Sequence, residues 1–494
     1  MSRIDRILNA IGLSRNKEIK KTYYRNFVAA MQSRLRANWT ATRIEINNEI
    51  KNDLPALRAR ARDLRLNNPI VAGAVIDNRV NIVGPNGFDL QPMVKFFDGS
   101  SDQFANDVIK KAFDKWSVRR YASASQRLSF LMIQYLAIDH LFIDGEIILR
   151  IITDKKVTKE NPFGFTLDFI DPNDVDHDKN ENLPNGNTIL MGVEIDEWRR
   201  LKAIWVKDKD KYNELYSFNG GNSKRISAEE IIFVYDPLHF KAVHGITPLA
   251  PVMTTLKDLD MWEDYSLQNA KASAAKMGFL KKPLDAIYDY QGADEVEGET
   301  SSEPDAGKYM DFEGGTVEEL PAGYEFQAFT PEFPHAQHAE FVRNNGRKIA
   351  TGIGRDYTSL FGDRENESYS SARSGELKQR ATYSYLQSII REQMLIPIYE
   401  NWLKFALLNG QLEPLRMSDI ERYKDHWWQG YVKPWVDMQK EVDAQKAAEE
   451  AGYISKIQIV SQMGNRYEDV LADKKKEQEL RKKFGVEDGN TKTN

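Results

Sequence analysis

Apolar positions recur at helical spacing through the first part of the chain. Residues 1–66 read as amphipathic helices and connectors, and Asn67-Asn68-Pro69 punctuates them. Ile70, Val71, Ala74 and Val75 then share one helical face. A second predicted helix carries Phe104, Val108, Ile109, Phe113 and Trp116, and a third carries Leu128, Leu131, Met132, Tyr135 and Leu136. Gly84-Pro85-Asn86-Gly87 between them is a turn. The period then changes. Segments 141–152, 164–170, 188–196, 203–206, 212–218 and 230–235 are short and rich in β-branched and aromatic residues. Pro184-Asn185-Gly186 and Gly220-Gly221-Asn222 separate some of them. The pattern predicts a mostly antiparallel β region, so the first half is α+β.

From Pro248 the helical period returns. Leu249, Val252, Met253, Leu256 and Leu259 lie on one face of a segment, 248–276, with prolines only at its start. At 1.5 Å per residue it reaches about 43 Å. Residues 277–334 interrupt it with Gly, Pro and acidic residues. A second helix follows at 335–354, with Phe341, Val342, Asn345 and Ile349 on one face. The stretch 353–372 is polar and turn-rich. Ser370 or Ser371 then caps a long helix running to Gly410, with a kink expected about one turn before Pro397. Residues 436–485 divide into three short helices closed by Gly452, Gly464 and Gly485, and no internal repeat is present.

Length and composition narrow the class. The 494 residues hold about three domains' worth of core. No stretch approaches the roughly 18 apolar residues of a membrane helix. The first 21 residues alternate apolar and charged positions, unlike a secretory signal. The absence of cysteine excludes disulfides and cysteine-held zinc. Net charge is −6 but uneven: residues 1–70 hold 15 Lys/Arg against 6 Asp/Glu, whereas Asp294–Asp305 holds six acids and no base.

Catalytic signatures are missing. There is no G-x-x-x-x-G-K-[ST] phosphate loop and no G-x-S-x-G elbow. His335 and His338, with Glu340 nearby, lack the HExxH order and read as a surface or interface pair. Asp171, Asp174, Asp176 and Asp178 crowd one loop. Counted from Asp174, positions six and twelve hold Lys179 and Asn185, not the Gly and Glu of a calcium loop. An Asx-rich turn fits better. Trp427, Trp428 and Trp435 read as core or subunit interface.

Five segments in order resemble the lambda-type family of tailed-bacteriophage portal proteins: LRARARDLRLNNPIVAGAVIDNRVNIVGPNGFDLQP (57–92); FIDPNDVD with ILMGVEIDEWRRLKAIWV; HGITPLAPVMTTLKDLDMWEDYSLQNAKASA; GIGRDYTSLFGDRENESYSSARSGELKQR; and WVDMQKEVDAQKAAEEAGYISKIQIVSQMG. YSSAR (369–373) after Gly362-Asp363 is the most specific piece. The sequence departs from the family at Arg355-Asp356, where many relatives are less charged, and at Asp437-Met438, where a proline is common.

The resemblance implies a portal fold assembling as a ring of, typically, twelve subunits, with wing, paired-helix stem, clip and helical crown. Residues 1–247 would be an N-terminal arm and the α+β wing, and 248–276 and 335–352 the stem helices. The clip would be 277–334 and the tunnel loop 353–372. A kinked helix and wing return would occupy 373–435, and the crown and tail 436–494. It further implies a non-enzymatic conduit for DNA packaging and ejection, with no cofactor or metal. Partners would be double-stranded DNA bound without sequence specificity, the terminase packaging motor, capsid or scaffold, and a head–tail completion protein. The location would be the virion vertex, after assembly in host cytoplasm. A metal-dependent nuclease built on the Asp171–Asp178 cluster, or a monomeric minor capsid or adaptor protein, are the competing readings.

Candidate residues follow from these assignments. Arg355, Asp356, Tyr357, Asp363, Arg364, Glu365 and Tyr369 are expected on a DNA-facing tunnel loop. With Glu367, its acids exceed its bases by two. A loop of so few apolar side chains is expected to shift at modest cost. Lys271, Lys276, Arg343, Arg347 and Lys348 are the stem candidates for brief phosphate contact, weighed against roles as solvated side chains or intersubunit ion pairs. Asp294, Glu295, Glu297, Glu299, Glu303 and Asp305 are the clip's partner surface. An acidic subunit limits drag on DNA, because each phosphate neutralised adds salt-dependent affinity.

Overall fold

The computed structural model describes residues 44–155, 159–207, 222–274, 278–281, 325–328, 338–365, 368–433, 438–463 and 467–484. Helix α1 (Ile46–Asn67) buries Ile50, Leu54, Arg58, Ala61 and Leu64, one stripe at steps of three and four. Asn68 ends it and caps α2 (Pro69–Asn78): its side chain accepts from Val71 N at 2.9 Å, and Pro69 takes the first turn. A wide π-type turn (Arg79–Val83) and Gly84 at φ +73° follow.

Strand β1 is Asp89–Pro92, α3 is Gln103–Trp116 and α4 is Phe130–Ile143. In α3 the buried face is Ala105, Ile109, Ala112, Phe113 and Trp116. Phe104, one of the apolar positions of the predicted helix, is 60% exposed. It stands nine residues from Phe113, half a rotation away at 100° per residue. In α4 the buried side chains are Phe130, Ile133, Gln134, Ala137, Ile138, Leu141, Phe142 and Ile143, and Met132, one of the apolar positions of the predicted helix, is exposed. This helix is apolar nearly all round, so periodicity could not select its face.

The β region is antiparallel among the named strands, as expected. β2 (Glu146–Ile152) lies between β3 (Thr166–Ile170) and β9 (Ile231–Tyr235). A five-stranded meander runs β4 (Glu181–Asn182), β5 (Thr188–Leu190), β6 (Val193–Ile195), β7 (Leu201–Lys207) and β8 (Ser223–Ser227). Residues 141–143 finish α4 rather than begin a strand. The segment 188–196 is a hairpin, turned at Met191 (φ +52°) and Gly192 (φ +81°), the paired positive φ of a tight two-residue turn. The strand expected at 212–218 lies outside the described residues.

Helix α5 (Met253–Ala274) leads to β10 (Gly278–Lys281), which pairs antiparallel with β11 (Glu325–Ala328). Next come α6 (His338–Gly352), the short α7 (Tyr357–Phe361) and α8 (Tyr369–Ile390). The cap of α8 is Ser368, which accepts from Ser371 N, two or three residues before the expected caps. A π-type turn at Arg391–Leu395 joins α8 to α9 (Ile396–Leu408). It sits where Pro397 lacks an N–H and its ring crowds the preceding carbonyls, so the turn widens there. Gly410 at φ +66° lies just beyond the end. Strand β12 (His426–Gln429) pairs with β1 and brings the chain back onto its first half. Helices α10 (Met438–Glu450), α11 (Lys456–Gln462) and α12 (Tyr467–Phe484) follow, three as expected.

The largest core joins α3, α4, the three-stranded sheet, α9 and β12. Phe113 meets Trp402 edge-on at 4.9 Å and lies 5.5 Å from Trp428. Trp116 Nε1 donates to Phe165 O at 3.0 Å. Trp428 is thus a core residue, as its sequence reading allowed, whereas Trp427 is partly exposed beneath the Arg391 guanidinium at 4.3 Å. Trp435 lies outside the described residues.

Candidate functional site

Helices α5 and α6 run antiparallel. Trp262 on α5 stacks on His338 at 4.4 Å and lies 4.8 Å from Phe341, at the start of α6. At the other end Gly352 sits against Val252, where any side chain would collide. Val252, Met253, Leu256, Leu259 and Ile349 form the shared core with α1 and α2. Asn68 ties this pair to α2 by donating to both oxygens of Asp260, at 2.8 and 2.9 Å. Between the two helices in sequence, strands β10 and β11 pair with each other.

The polar segment after α6 is far better anchored than its composition suggests. Arg355, expected at a DNA-facing tip, is 4% exposed. Its guanidinium lies 4.4 Å over the Tyr383 ring and donates to Asn78 Oδ1. Burial lowers its pKa, against the raising effect of Tyr383 and Asp77. Arg355 is therefore an internal clamp between α2 and α8. Asp356 caps α7, accepting from Ser359 N at 3.1 Å, and leans on Gly375, where a Cβ would come within 2.6 Å of its Oδ1. Thr382 Oγ1 donates to Gly354 O at 3.2 Å. Tyr357 and Phe361 stack at 5.2 Å over Gly346 of α6. Ile353, Leu360 and Phe361 join the α5–α6 core. The loop expected to shift at modest cost thus has an apolar foot in which Tyr357 and Phe361 act as the packing anchors expected of them, because helical spacing puts Tyr357, Leu360 and Phe361 on one side.

Beyond the foot, in 362–365, Gly362, Arg364 and Glu365 are exposed and Asp363 is half-buried. Arg343 of α6 spans this segment, with Nε 2.9 Å from Asp363 Oδ2 and Nη2 2.7 Å from Glu365 Oε2. The Tyr357 hydroxyl donates to Asp363 at 3.0 Å. Tyr357 and Arg343 hold the Asp363 carboxyl below its ordinary range. Arg343 is therefore committed to an intrasubunit ion pair. Arg347 is exposed and lies 5.7 Å from the Tyr357 ring. Lys271, Lys348 and Arg364 are exposed. Lys276, the side chain of Tyr369, and Asp294, Glu295, Glu297, Glu299, Glu303 and Asp305 lie outside the described residues.

A buried ionic cluster, missed in the sequence, joins α1, the end of α4, β2 and the segment entering α5. Arg58 lies 2.6 Å from Glu146, and neither side chain is exposed. Arg58 also donates to Asp144 O and Pro172 O at 3.2 Å and contacts His177 Nε2 at 2.7 Å. Glu146 contacts His244 Nδ1 at 2.9 Å and accepts from Gly245 N at 3.0 Å. Burial alone would raise the Glu146 pKa, but Arg58, His244 and His177 outweigh it and hold it at about 2. Burial, His244 and Arg58 push His177 down to about 3. Beside this cluster Arg62 bridges Asp144 and Asp171, each at 2.7 Å. Asp171 also accepts from Asn173 N, the Asx turn expected from the acidic loop.

The family described as "Phage portal protein, lambda family" matches residues 32–387. The "Probable portal protein" of Halomonas phage phiHAP-1 is 30% identical over 453 residues, covering 91% of this chain and 85% of its own. Among solved structures, the chain is similar to the neck of an empty GTA particle computed with C6 symmetry. There the identity is 12% and the TM-score 0.43, over 84% of this chain and 94% of that one. Similarity to the virion of a native gene transfer agent particle is comparable, at 11% identity and TM-score 0.43 over 87% and 98% of the two chains.

Proposed function

The chain belongs to the lambda family of phage portal proteins, and from that premise we infer that it forms the ring at one capsid vertex through which double-stranded DNA enters and leaves. It is a structural, non-enzymatic component. The family match over residues 32–387 is the observation that carries the reading. The antiparallel pair α5–α6 supports it as the stem, with β10 and β11 leading into the clip, 277–334. The pair leaves Met261, Tyr265, Leu267 and Phe341 exposed, apolar surface that neighbouring subunits of a ring would cover. Residues 1–247 serve as arm and wing, 373–435 as the return into the wing, and 436–494 as the crown.

DNA contact is transient and sequence-independent in this reading. The stem exposes Asp258, Glu263 and Asp264 beside Lys257 and Lys271, a mixture that disfavours tight phosphate binding. Lys271, Lys276, Arg347 and Lys348 make brief backbone contacts, and Arg343 serves the loop instead. Asp294–Asp305 of the clip meets the packaging motor and then the tail-completion protein, and the basic first segment lies near capsid or scaffold. The tunnel loop, 353–372, narrows the channel, its foot fixed by Arg355.

Changing Asp363, Arg364 and Glu365 together to serine tests this assignment, since it removes the charged tip and the Arg343 ion pairs but keeps the apolar packing of Tyr357, Leu360 and Phe361. Assembly should be unchanged by sedimentation. Packaged heads should lose DNA, read as a falling fraction of filled particles. Normal retention of full-length DNA would make the tip a plain linker and refute the assignment.

A further inference from the structure

A cavity of about 520 Å³ lies where the loop foot, the entry to α5 and the middle of α8 meet. Its lining includes Ile138, Phe142, Ile246, Ala250, Ile353 and Leu386. Pockets of roughly 300–1,000 Å³ with an apolar lining and a few polar groups are the usual dimensions of small-molecule sites. Its polar lining is Asn78, Asp236, Thr247, Arg355, Thr382 and Tyr385, and Asp236 is already engaged by Tyr385. Asn78 and Arg355 both line the cavity, and they are 1% and 4% exposed. Asn78 Nδ2 and Arg355 Nε and Nη1 have no acceptor among the described residues. A buried donor without an acceptor is costly, and a buried cation more so.

The nearby acids do not serve these donors. Asp77 is engaged by Tyr383, Gln379 and Asn81. Asp236 accepts from the Tyr385 hydroxyl at 2.8 and 2.9 Å. The acceptor of Arg355 is a neutral amide oxygen, that of Asn78. A guanidinium keeps its charge in a protein interior. The cavity therefore combines an apolar body with a cation whose charge is unmatched at contact range.

We propose that this cavity binds a small amphiphilic anion, a single carboxylate head at Arg355 and Asn78 with an apolar body among Phe142, Ala250 and Leu386. Such a ligand ties residues 352–355 to α8 and to the entry of α5, and so fixes the foot of the loop. The cavity is lined by residues of one subunit, and the inference does not rest on ring formation.

Titration calorimetry of the purified full-length protein with decanoate, decanol and decyltrimethylammonium tests it. Decanoate should bind once per chain, at least ten-fold tighter than decanol, and the ammonium compound should not bind. Arg355→Met should reduce decanoate to the level of decanol, and Arg355→Lys should restore part of the difference. Ala250→Phe fills the cavity without touching the donors and should abolish both. Equal affinity for decanoate and decanol overturns the proposal, as does unchanged decanoate binding in a folded Ala250→Phe protein. Absence of decanoate binding overturns it too, including the case in which a neighbouring copy fills the cavity.

Discussion

Arg58→Ala should destabilise the protein by about 3–5 kcal/mol, the range for removing one partner of a buried ion pair. The side chain sits on the core face of α1 and neutralises Glu146 where neither is exposed. It also satisfies the carbonyls of Asp144 and Pro172. Without it the Glu146 carboxylate stays buried against His244 and the Gly245 amide alone, and two carbonyls lose a donor. Arg62→Ala should cost much less, because Arg62 is about one-third exposed and water can take its place. Urea unfolding of the two variants, compared at equal slope, measures the difference.

The same cluster sets an acid limit. His177 is held at about 3 in the fold, below its ordinary 6.5, and Glu146 at about 2, below 4.5. A group depressed by folding stabilises fully above its unfolded pKa, and that contribution is lost as pH falls towards the folded value. Stability should therefore begin to fall below about pH 6.5 through His177 and fall faster below about 4.5 through Glu146. His177→Gln should reduce the first part of this slope in urea midpoints measured against pH, leaving the part due to His426, whose pKa burial also lowers.

Gly145→Ala and Gly245→Ala should each cost about 3–5 kcal/mol, from overpacking together with backbone strain or lost contacts. Gly145 lies at φ +85°, and a Cβ there would strike the backbone of Ile246. A Cβ on Gly245 would strike the Gly145 carbonyl oxygen, with Tyr235 Cβ 2.7 Å away on the other side. Backbone meets backbone at this crossing, so no rotamer change relieves it. It is also where the chain leaves the sheet region for α5, next to Glu146. Thermal unfolding of the two variants checks the loss, and Gly186→Ala, at φ +85° but with open space around it, is the control for strain without collision.

The sequence was most legible where a segment's own pattern decides its structure. The α5 stripe of Leu249, Val252, Met253, Leu256 and Leu259 is buried as read, and the break before Pro397 appears as the π-type turn. The Asn68-Pro69 signal marks a capped helix start. Legibility failed where partners are distant. Arg355 stands among polar neighbours and reads as a loop residue, yet its acceptor Asn78 is 277 positions away. Arg58 did carry a signal: it continues the stripe of Ile50 and Leu54 at the next i+4 step, so a charge stands on a core face. Met191-Gly192 hid a hairpin because methionine rarely takes positive φ.

The central claim, that the chain is a portal subunit built to close into a ring, is tested most directly by the mass and image of the purified full-length protein. The family resemblance sets the expected copy number at twelve, and with 56.8 kDa per chain the closed assembly should weigh about 680 kDa. Particles imaged by electron microscopy should be rings with a central channel. Monomers of 56.8 kDa at every protein concentration and salt, with no ring in the images, would contradict the account.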